Sequence, residues 1–227
     1  MEDPRAPEKR AAARAAAAEV EDGMLVGLGT GSTVAFFLPA LAARGLRITC
    51  VSTSLETESQ ARALGLRVVA FDTAGLTDGP GAAGPIQRLD IAVDGADQVA
   101  PDRWLVKGGH GAQTREKIVA AAADRFVVIV SADKIVDALR APVPLEVMRF
   151  GLAATLRGIG ALGPWRVRER GSPDGNAIVD YLGDVSDPAE LAAAFEATPG
   201  LVEHGLFPPS MVAEVITAYP DGSLRRL

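Results

Sequence analysis

The sequence predicts an α/β fold: a mostly parallel sheet flanked by helices, together with a smaller α+β subdomain. Three observations predict it. The 227 residues are 48% hydrophobic, which is enough for one full core. Helical and strand patterns alternate regularly as far as residue 131, and after about Ala141 their order becomes mixed. Because regular alternation is typical of parallel sheets with helices on both faces, the first part predicts the sheet and the second part the subdomain.

The first predicted helix, "PEKRAAARAAAAEVEDG", is alanine-rich, carries its charges at one edge and ends at Gly23. A short apolar run, "MLVGLG", follows it and predicts a buried strand. The same alternation then repeats. In order, the next predicted elements are the helix "TVAFFLPALAARG", the strand "LRITCVS", the helix "TSLETESQARALG", the strands "LRVVAF" and "RLDIAVDGAD", the helix "QTREKIVAAAA", the strand "DRFVVIVS" and a short helix "ADKIVDAL".

Two further stretches have their own patterns. "LTDGPGAAGPIQ" is too rich in glycine and proline for a regular element and predicts a surface loop. The chain ends in two strand patterns around a Pro-Asp-Gly turn. We therefore assign residues 1–141 plus 204–227 to the larger domain that contains the sheet, and residues 142–203 to the small α+β subdomain.

Charge and composition disfavour several classes of protein. The formal net charge of -6 disfavours a general binder of nucleic acid or membrane surfaces, because both are polyanions. A single cysteine excludes an internal disulfide framework, and "MEDPRAPEKR" carries acids and prolines where a signal peptide is basic and then apolar. We therefore expect a cytoplasmic protein. Two histidines and one cysteine are too scattered for a soft-metal cluster, so catalysis would depend on carboxylates and lysines.

Lysine is rare in this chain. Only four of the 23 basic residues are lysine, and the others are arginine. A compact ammonium can contact a reacting oxygen or a phosphate and can exchange a proton, whereas guanidinium is wide and permanently charged. We therefore expect chemistry at some of these positions and a surface location for Lys117. The four are Lys9, Lys107, Lys117 and Lys134.

Glycines and hydroxyls lie between the first strand and the following helix, in "VGLGTGSTV". In an open parallel sheet this junction is at the carboxyl end of the strands, where ligands bind, and the N–H groups of a helix start can bind an anion. The stretch predicts a phosphate site. It lacks the third glycine and the acid of a dinucleotide fingerprint, and the Gly-Lys-Ser/Thr of a P-loop, which disfavours NAD and ATP. Glycines that only form a tight turn are the alternative.

Asp94 and Asp97 lie just past a buried strand, in "DIAVDGADQV". Two neighbouring carboxylates raise each other's pKa unless a cation compensates, and Lys107 on the next segment can supply that charge. Such a cluster can move hydroxyl protons. For either residue alone, an aspartate that only caps a turn is the alternative.

Glycines separate Lys107 from Glu116 in "VKGGHGAQTREK". A glycine backbone can close its N–H groups around a phosphate or sugar oxygen, with the lysine at one end and the glutamate in the first turn of a helix at the other. The pattern predicts a base and an electrophile in one pocket. A capping-type glutamate, with Thr114 or Gln113 as cap residue, is the alternative. The residues alone therefore indicate a metal-free enzyme or a binder of a small phosphorylated ligand.

Four motifs in this order, "VGLGTGSTV", "DGADQV", "KGGHGAQTREK" and "SADKIVDAL", resemble those of the ribose-5-phosphate isomerase A family. The likeness continues through "PVPLEV", "DGNAIVDY" and "PGLVEHGLF" over nearly the whole chain. The resemblance implies a Rossmann-like domain that interconverts two phosphosugars, ribose 5-phosphate and ribulose 5-phosphate, through an enediol and without metal or cofactor. It also implies a homodimer or homotetramer.

The resemblance also implies roles for individual residues. Glu116 matches the general base that moves a proton between C1 and C2, and Lys107 matches the lysine that stabilises the enediolate. Asp94 and Asp97 match the acids that handle hydroxyl protons and ring opening. The residues that would bind the sugar and its phosphate are Thr30, Gly31, Ser32, Thr33, Gly108, Gly109, Lys134 and Lys9.

Two positions depart from the family pattern. Gln98 stands where the family usually has a glutamate, so one negative charge beside Asp97 is missing. His110 stands where a third glycine is usual, and we expect its side chain to face solvent. Contact of the imidazole with the substrate is the alternative.

Two other classes of protein share this fold. One is a non-catalytic sugar-phosphate sensor, which could lack Glu116 or Lys107 and would usually carry a DNA-binding or partner domain. The other is a related enzyme, such as an amino-sugar phosphate deaminase or a CoA transferase. The combination of "DGAD" with "KGG" and "TREK" argues against both classes.

Overall fold

A computed structural model describes residues 3–71 and 86–227. Most of the predicted surface loop "LTDGPGAAGPIQ" lies outside these residues. The chain divides into two compact units. The first comprises Met1–Gly95, Ile118–Ala132 and Ala213–Leu227, and the second comprises Ala96–Lys117 and Asp133–Val212.

The helices and strands follow one another much as the sequence predicts. In chain order they are α1 Ala6–Ala17, β1 Leu25–Leu28, α2 Val34–Ala42, β2 Thr49–Ser52, α3 Leu55–Ala63, β3 Leu89–Asp94, β4 Gln98–Val99, β5 Leu105–Val106, α4 Gln113–Ala121, β6 Ala123–Ser131, β7 Val143–Val147, α5 Leu152–Leu162, β8 Trp165–Val167, β9 Ala177–Tyr181, α6 Pro188–Glu196, β10 Leu201–His204, β11 Leu206–Phe207, β12 Glu214–Ala218 and β13 Leu224–Arg226. Among the described residues, no helix combines the length and the apolar character needed to cross a bilayer.

The first unit contains a six-stranded sheet in the order β13-β12-β6-β3-β1-β2. Neighbouring strands are parallel except β12 and β13, the predicted C-terminal hairpin. The chain passes from β1 to β2 on one side and then to β3 on the other side of β1. Such a reversal of strand order places a ligand crevice at the carboxyl ends of the strands. The predicted mostly parallel sheet flanked by helices is confirmed.

Small and large apolar side chains share the core of the first unit. Ala12, Ala13 and Ala16 of α1 are fully buried, as is Phe37 of α2. Alanines at this spacing form one narrow face of α1, because residues three and four apart lie on the same side of a helix. Cys50 of β2 belongs to the same core, and burial raises the pKa of its thiol to about 12.

The predicted strand "LRVVAF" is wrong in extent. Its segment pairs with β2 in an isolated bridge between Val68 and Cys50. The Cys50 N–H donates to the carbonyl of Arg67 at 2.8 Å, and the Val69 N–H donates to the carbonyl of Cys50 at 2.9 Å. Because β2 is only four residues long, few of its backbone groups can pair with this segment.

The predicted short helix "ADKIVDAL" is reduced to one 3-10 turn, Ala132–Lys134. Beyond that turn, Ile135 forms a parallel bridge with Val99, and the Val136 N–H donates to the Val99 carbonyl at 3.0 Å. These contacts with β4 hold the chain in an extended conformation, so the helix cannot continue.

The second unit contains two antiparallel sheets, one in the order β10-β7-β9-β8 and the other in the order β11-β5-β4. β7 and β9 are buried along their whole length. In the core, the rings of Tyr181 and Phe195 meet edge to face with centroids 5.1 Å apart. This is the predicted α+β structure. The predicted limits, residues 142–203, fall inside the unit and stay a prediction.

Lys117 lies in a buried cluster of the second unit. Its ammonium is 2.6 Å from the Glu203 carboxylate, 3.3 Å from Nδ1 of His204 and 4.9 Å from the ring centroid of Phe207. Burial lowers the pKa of Lys117, and Glu203 opposes that shift. The side chain is only 12% exposed. The expected surface location of Lys117 is therefore wrong, because a partner 86 residues away in the chain compensates its charge.

His204 is buried beside this cluster and packs against the ring of Phe195. Its Nδ1 accepts the N–H of Leu206 at 3.2 Å, while its Nε2 lies 3.6 Å from the Glu196 carboxylate and 3.8 Å from that of Glu203. Burial, together with the nearby ammonium of Lys117, lowers the pKa of His204 to about 3. The ring is therefore neutral at pH 7.

We expect His204 to make the stability of the chain depend on pH. In the unfolded chain the ring takes up a proton near pH 6.5, but in the native chain it does so only near pH 3. Between these values the unfolded state binds more protons, so the free energy of unfolding falls as the pH decreases, by up to about 1.4 kcal/mol per pH unit. Urea unfolding at pH 7, 6 and 5 will measure this slope for the wild type and for His204→Asn, whose oxygen can still accept the Leu206 N–H.

His110→Asn is the matched control, because the other histidine of the chain is exposed. We expect it to keep the wild-type slope, and we expect His204→Asn to have a smaller one. Equal slopes for all three proteins would mean that His204 does not cause the pH dependence.

Candidate functional site

The predicted site residues form two sets, one in each unit. The first unit contains Lys9, Thr30, Gly31, Ser32, Thr33 and Asp94. The second unit contains Asp97, Lys107, Gly108, Gly109, Glu116 and Lys134.

The Asp94 carboxylate organises the loop that follows β1. Asp94 ends β3, which is the neighbour of β1, and is only 3% exposed. Its Oδ1 accepts the N–H of Thr30 at 3.0 Å and that of Gly95 at 2.7 Å. A Cβ added to Gly29 would lie 2.0 Å from the carboxyl carbon of Asp94, so no other residue fits at position 29. Asp94 therefore holds the predicted phosphate loop against β3.

Hydroxyl groups line the same loop. The hydroxyls of Thr30 and Thr53 are 2.7 Å apart. Gly31 has a φ of +123°, which L side chains rarely adopt, and Thr33 is the residue just before α2. In the first turn of α2 the N–H groups of Ala35 and Phe36 donate to the carbonyls of Gly31 at 3.0 Å and Thr33 at 3.1 Å, so the loop hydroxyls are the groups suited to bind an anion. Thr53 is not among the predicted site residues, although its position directly after β2 is a signal for this edge of the sheet.

Two predicted phosphate-binding lysines have different surroundings. Lys9 of α1 reaches the loop, with Nζ 2.7 Å from the Ser32 hydroxyl and 2.7 Å from the Asp3 carboxylate. Lys134 lies in the second unit, 3.9 Å from the Asp133 carboxylate, with its side chain 37% exposed. The structure thus brings Lys9 to Ser32, a contact between residues 23 positions apart.

Lys107 and Glu116 form a buried ion pair in the second unit. Nζ of Lys107 is 3.2 Å from Oε2 of Glu116, and the two side chains are 3% and 5% exposed. Lys107 directly follows β5, and Glu116 lies in the first turn of α4. The ammonium is also 5.5 Å from the ring centroid of Phe207. A carboxylate fixed in this way can take a proton from a carbon atom, while the ammonium stabilises the oxyanion that forms.

The glycine loop between these two residues is attached to Asp97. Oδ2 of Asp97 accepts the N–H of Gly109 at 2.7 Å, and the Asp97 N–H donates to the carbonyl of Val106 at 2.8 Å. Gly108 has a φ of +99°, and a Cβ there would lie 2.7 Å from Oε1 of Gln113. The loop therefore needs glycine at position 108, both for its backbone conformation and for space.

Neither proposed cap residue caps α4 through its side chain. The hydroxyl of Thr114 donates to Oε2 of Glu146. The amide atoms of Gln113 are buried and have no hydrogen-bond partner among the residues that the structure describes. The capping alternative for this helix start is therefore wrong for these two residues.

The structure places both residues that depart from the family pattern and gives a reason for one of them, Gln98. The side chain of Gln98 donates to the carbonyl of Arg140 at 2.7 Å and accepts its N–H at 2.8 Å. A glutamate could accept but, when ionised, could not donate, so glutamine fits this backbone contact better. His110 is exposed, as expected.

Known proteins share both the sequence and the fold. The family model for ribose 5-phosphate isomerase A (phosphoriboisomerase A) matches residues 49–222. The ribose-5-phosphate isomerase A of Rhodopseudomonas palustris is 43% identical over 234 residues and covers 94% of each chain.

Two solved structures give the same result. Ribose 5-phosphate isomerase A from Methanocaldococcus jannaschii has a TM-score of 0.85 and 32% identity, and the match covers 96% of this chain and 97% of that one. A D-ribose-5-phosphate isomerase in complex with phospho-erythronic acid has a TM-score of 0.84 and 31% identity over 96% of each chain. Since the family model and these relatives match most of its length, this chain belongs to the ribose 5-phosphate isomerase A family.

Proposed function

We propose that this isomerase interconverts D-ribose 5-phosphate and D-ribulose 5-phosphate through an enediolate that Glu116 forms and Lys107 stabilises. The observation that carries the proposal is their buried ion pair, with 3.2 Å between nitrogen and oxygen. It combines a base with a fixed positive charge, and an aldose-ketose isomerisation needs both at adjacent atoms. A sensor that only binds a sugar phosphate has no need of a buried base, so the enzyme is favoured over the sensor.

The proton transfer begins on the open-chain aldose. Glu116 takes the proton from C2 as H⁺, and the electron pair left behind forms the double bond between C1 and C2. Negative charge moves to the oxygen on C1, where the ammonium of Lys107 stabilises it. Protonated Glu116 then returns its proton to C1, and the hydroxyl proton on O2 passes to the charged oxygen on C1, which leaves a ketone at C2 and a hydroxyl at C1. The reverse reaction follows the same steps in the opposite order.

Asp94 and Asp97 are proposed to handle hydroxyl protons and ring opening. Backbone N–H groups fix both carboxylates: Thr30 and Gly95 donate to Asp94, and Gly109 donates to Asp97. A carboxylate held in one orientation can exchange a hydroxyl proton repeatedly without losing its position.

The remaining predicted residues are proposed to bind the substrate away from the reacting carbons. Hydroxyls and ammonium groups suit a phosphate dianion. Their binding energy orients the sugar and lowers the barrier at C1 and C2. These residues are Lys9, Thr30, Gly31, Ser32, Thr33, Gly108, Gly109 and Lys134.

We also propose that the reaction needs no metal ion or cofactor, since Lys107 supplies the positive charge. The product places the enzyme in pentose phosphate metabolism. A single cysteine suits the reducing cytoplasm, which we propose as the location.

An assembly of two or four copies is proposed for the same protein. Phe150 is 88% exposed and Met148 is 46% exposed in the second unit. Contact with another copy would cover such apolar side chains.

A variant of Glu116 tests the proposed base. Replacing Glu116 by glutamine should lower kcat by about a hundredfold or more, because the amide cannot take up the proton. NMR of ribose 5-phosphate in D2O will show whether ribulose 5-phosphate forms and whether deuterium enters at the exchanging carbon. We expect both with the wild type and neither, on the same time scale, with Glu116→Gln.

Glu190→Gln is the matched control, because Glu190 is also a first-turn glutamate, in α6, and is exposed. Glu190→Gln should keep wild-type turnover. It therefore shows the effect of losing a charge at a helix start without loss of the proposed base. Near-normal turnover of folded Glu116→Gln would remove Glu116 from the base role. Absence of conversion by the folded wild type, together with saturable binding of the sugar phosphate, would favour the sensor.

A ligand and a variant of Lys107 test how the negative charge of the enediolate is stabilised. Phospho-erythronic acid, which is bound in a related isomerase, carries a carboxylate where the enediolate carries its charged oxygens. We expect it to compete with ribose 5-phosphate here, and we expect Lys107→Met to weaken its binding at least about tenfold, because the carboxylate loses a close cation. Calorimetric titration will measure both. Erythronic acid without phosphate is the control ligand, and unchanged affinity in folded Lys107→Met would contradict the assignment.

The mass in solution tests the proposed assembly of two or four copies. Light scattering after gel filtration should give a mass of at least twice the 23.5 kDa of one chain. Phe150→Asp should lower that mass at micromolar concentration, because a charge in an apolar contact is unfavourable. Leu55→Asp is the control, since Leu55 is an exposed apolar residue of the first unit. A monomeric wild type would refute the proposed assembly.

A further inference from the structure

A guanidinium group that the sequence analysis did not identify binds the glycine loop. Arg168 directly follows β8, and its Nη1 lies 3.0 Å from the carbonyl oxygen of Gly108 and 3.0 Å from that of Gly109. The three residues belong to the second unit. Hydrogen bonds from a charged donor are stronger than those between neutral groups, so Arg168 is a firm contact for these two carbonyls.

The peptide unit between Gly108 and Gly109 is held from both edges. In a trans peptide the carbonyl oxygen and the N–H point in opposite directions. Arg168 binds the carbonyl of Gly108, while Oδ2 of Asp97 accepts the N–H of Gly109 at 2.7 Å. The peptide plane therefore cannot rotate without breaking one of two charge-assisted hydrogen bonds.

The next peptide unit is oriented in the same way. Because Arg168 also binds the carbonyl of Gly109, the N–H of His110 points away from the guanidinium. The positive charge behind the carbonyls polarises both peptides and makes their N–H groups better donors.

Arg168 is itself fixed by a buried acid. Asp180 of β9 accepts from Nη2 of Arg168 at 2.6 Å and from Nε at 3.1 Å. The Arg168 N–H donates to the carbonyl of Ile178 at 2.8 Å. Burial alone would raise the pKa of Asp180, but the hydrogen bonds and charges of Arg168 and Arg166 hold it below its usual value. The ionised carboxylate thus occupies two of the guanidinium nitrogens and leaves Nη1 for the loop.

Arg166 offers an internal comparison. It also binds Asp180, with Nη2 3.3 Å from Oδ2, but its side chain is 68% exposed. Among the described residues, Asp180 is the ion-pair partner recorded for Arg166. Two arginines of one strand end thus share a carboxylate, while Arg168 also binds the carbonyls of Gly108 and Gly109.

We propose that Arg168 is a positioning residue for the isomerisation. It holds the Gly108–Gly109 peptide so that Lys107, which precedes the loop, and the N–H groups of the loop keep the orientation that the enediolate requires. The inference rests on the proposed function and adds a residue from the small antiparallel sheet to the groups on which turnover depends. A positioning role of this kind acts on the transition state more than on binding of the phosphate.

The test compares Arg168→Met with Arg166→Met. We expect Arg168→Met to lower kcat about tenfold or more while KM changes less than about threefold, and we expect Arg166→Met to stay within about twofold of the wild type in both. Amide hydrogen exchange of the ligand-free proteins gives a readout that needs no activity: the Gly109 N–H should exchange at least about tenfold faster in Arg168→Met only.

A second variant separates the positioning role of Arg168 from the loss of stability that follows when Asp180 loses its main cation. Arg168→Met leaves the buried Asp180 carboxylate with Arg166 as its cation, so Asp180→Asn is added to remove that charge. We expect the double variant to regain thermal stability but not kcat. In Arg168→Ala, millimolar guanidinium should restore part of kcat, because the small cation can occupy the place of the missing group.

Three outcomes would overturn the inference: wild-type kcat in Arg168→Met, recovery of kcat when Asp180→Asn is added, or equal Gly109 exchange in the two methionine variants. The proposed function fails separately, through the absence of conversion by the wild type. In that case the exchange measurement still decides whether Arg168 holds the loop.

Discussion

The ion pair of Lys107 and Glu116 is the interaction on which the site of the second unit depends. Removing two charges from water costs several kcal/mol for each ion, and only close and well-oriented contact compensates that cost. The contact exists because β5 ends and α4 begins within ten residues of each other, with glycines between them. Loss of either partner would remove the close opposite charge from a buried ion, at a cost of about 3–5 kcal/mol. The same arrangement therefore stabilises the fold and fixes the carboxylate that we propose as the base.

The first unit uses a different device. There the Asp94 carboxylate accepts two backbone N–H groups at the end of β3, and glycine at position 29 leaves it the necessary space. The loop is thus shaped by backbone hydrogen bonds, while its hydroxyls remain suited to an anion. In the second unit the buried pair of Lys107 and Glu116 fixes charged side chains in addition to the backbone of the glycine loop.

Local pattern and motif order predicted the parallel sheet, the terminal hairpin and the two loops. These features depend on residues close together in the sequence, such as the glycines after β1 or the segment from Lys107 to Glu116. Other features were missed because they depend on contacts between distant residues. Lys117 meets Glu203 across 86 positions, and Arg168 meets Gly108 across 60. The strand predicted around Val68 failed for a related reason, since its length depends on how much of β2 is available for pairing.

The buried thiol of Cys50 has a practical consequence. It is the single cysteine of the chain, it is fully enclosed in the core of the first unit, and its pKa is about 12. Maleimides and iodoacetamides react with thiolates at accessible positions, and Cys50 offers neither accessibility nor a thiolate at neutral pH. The native chain therefore contributes no background reaction with these labelling reagents. A fluorophore or spin label placed on one engineered surface cysteine would report from that position alone, without prior removal of the natural residue.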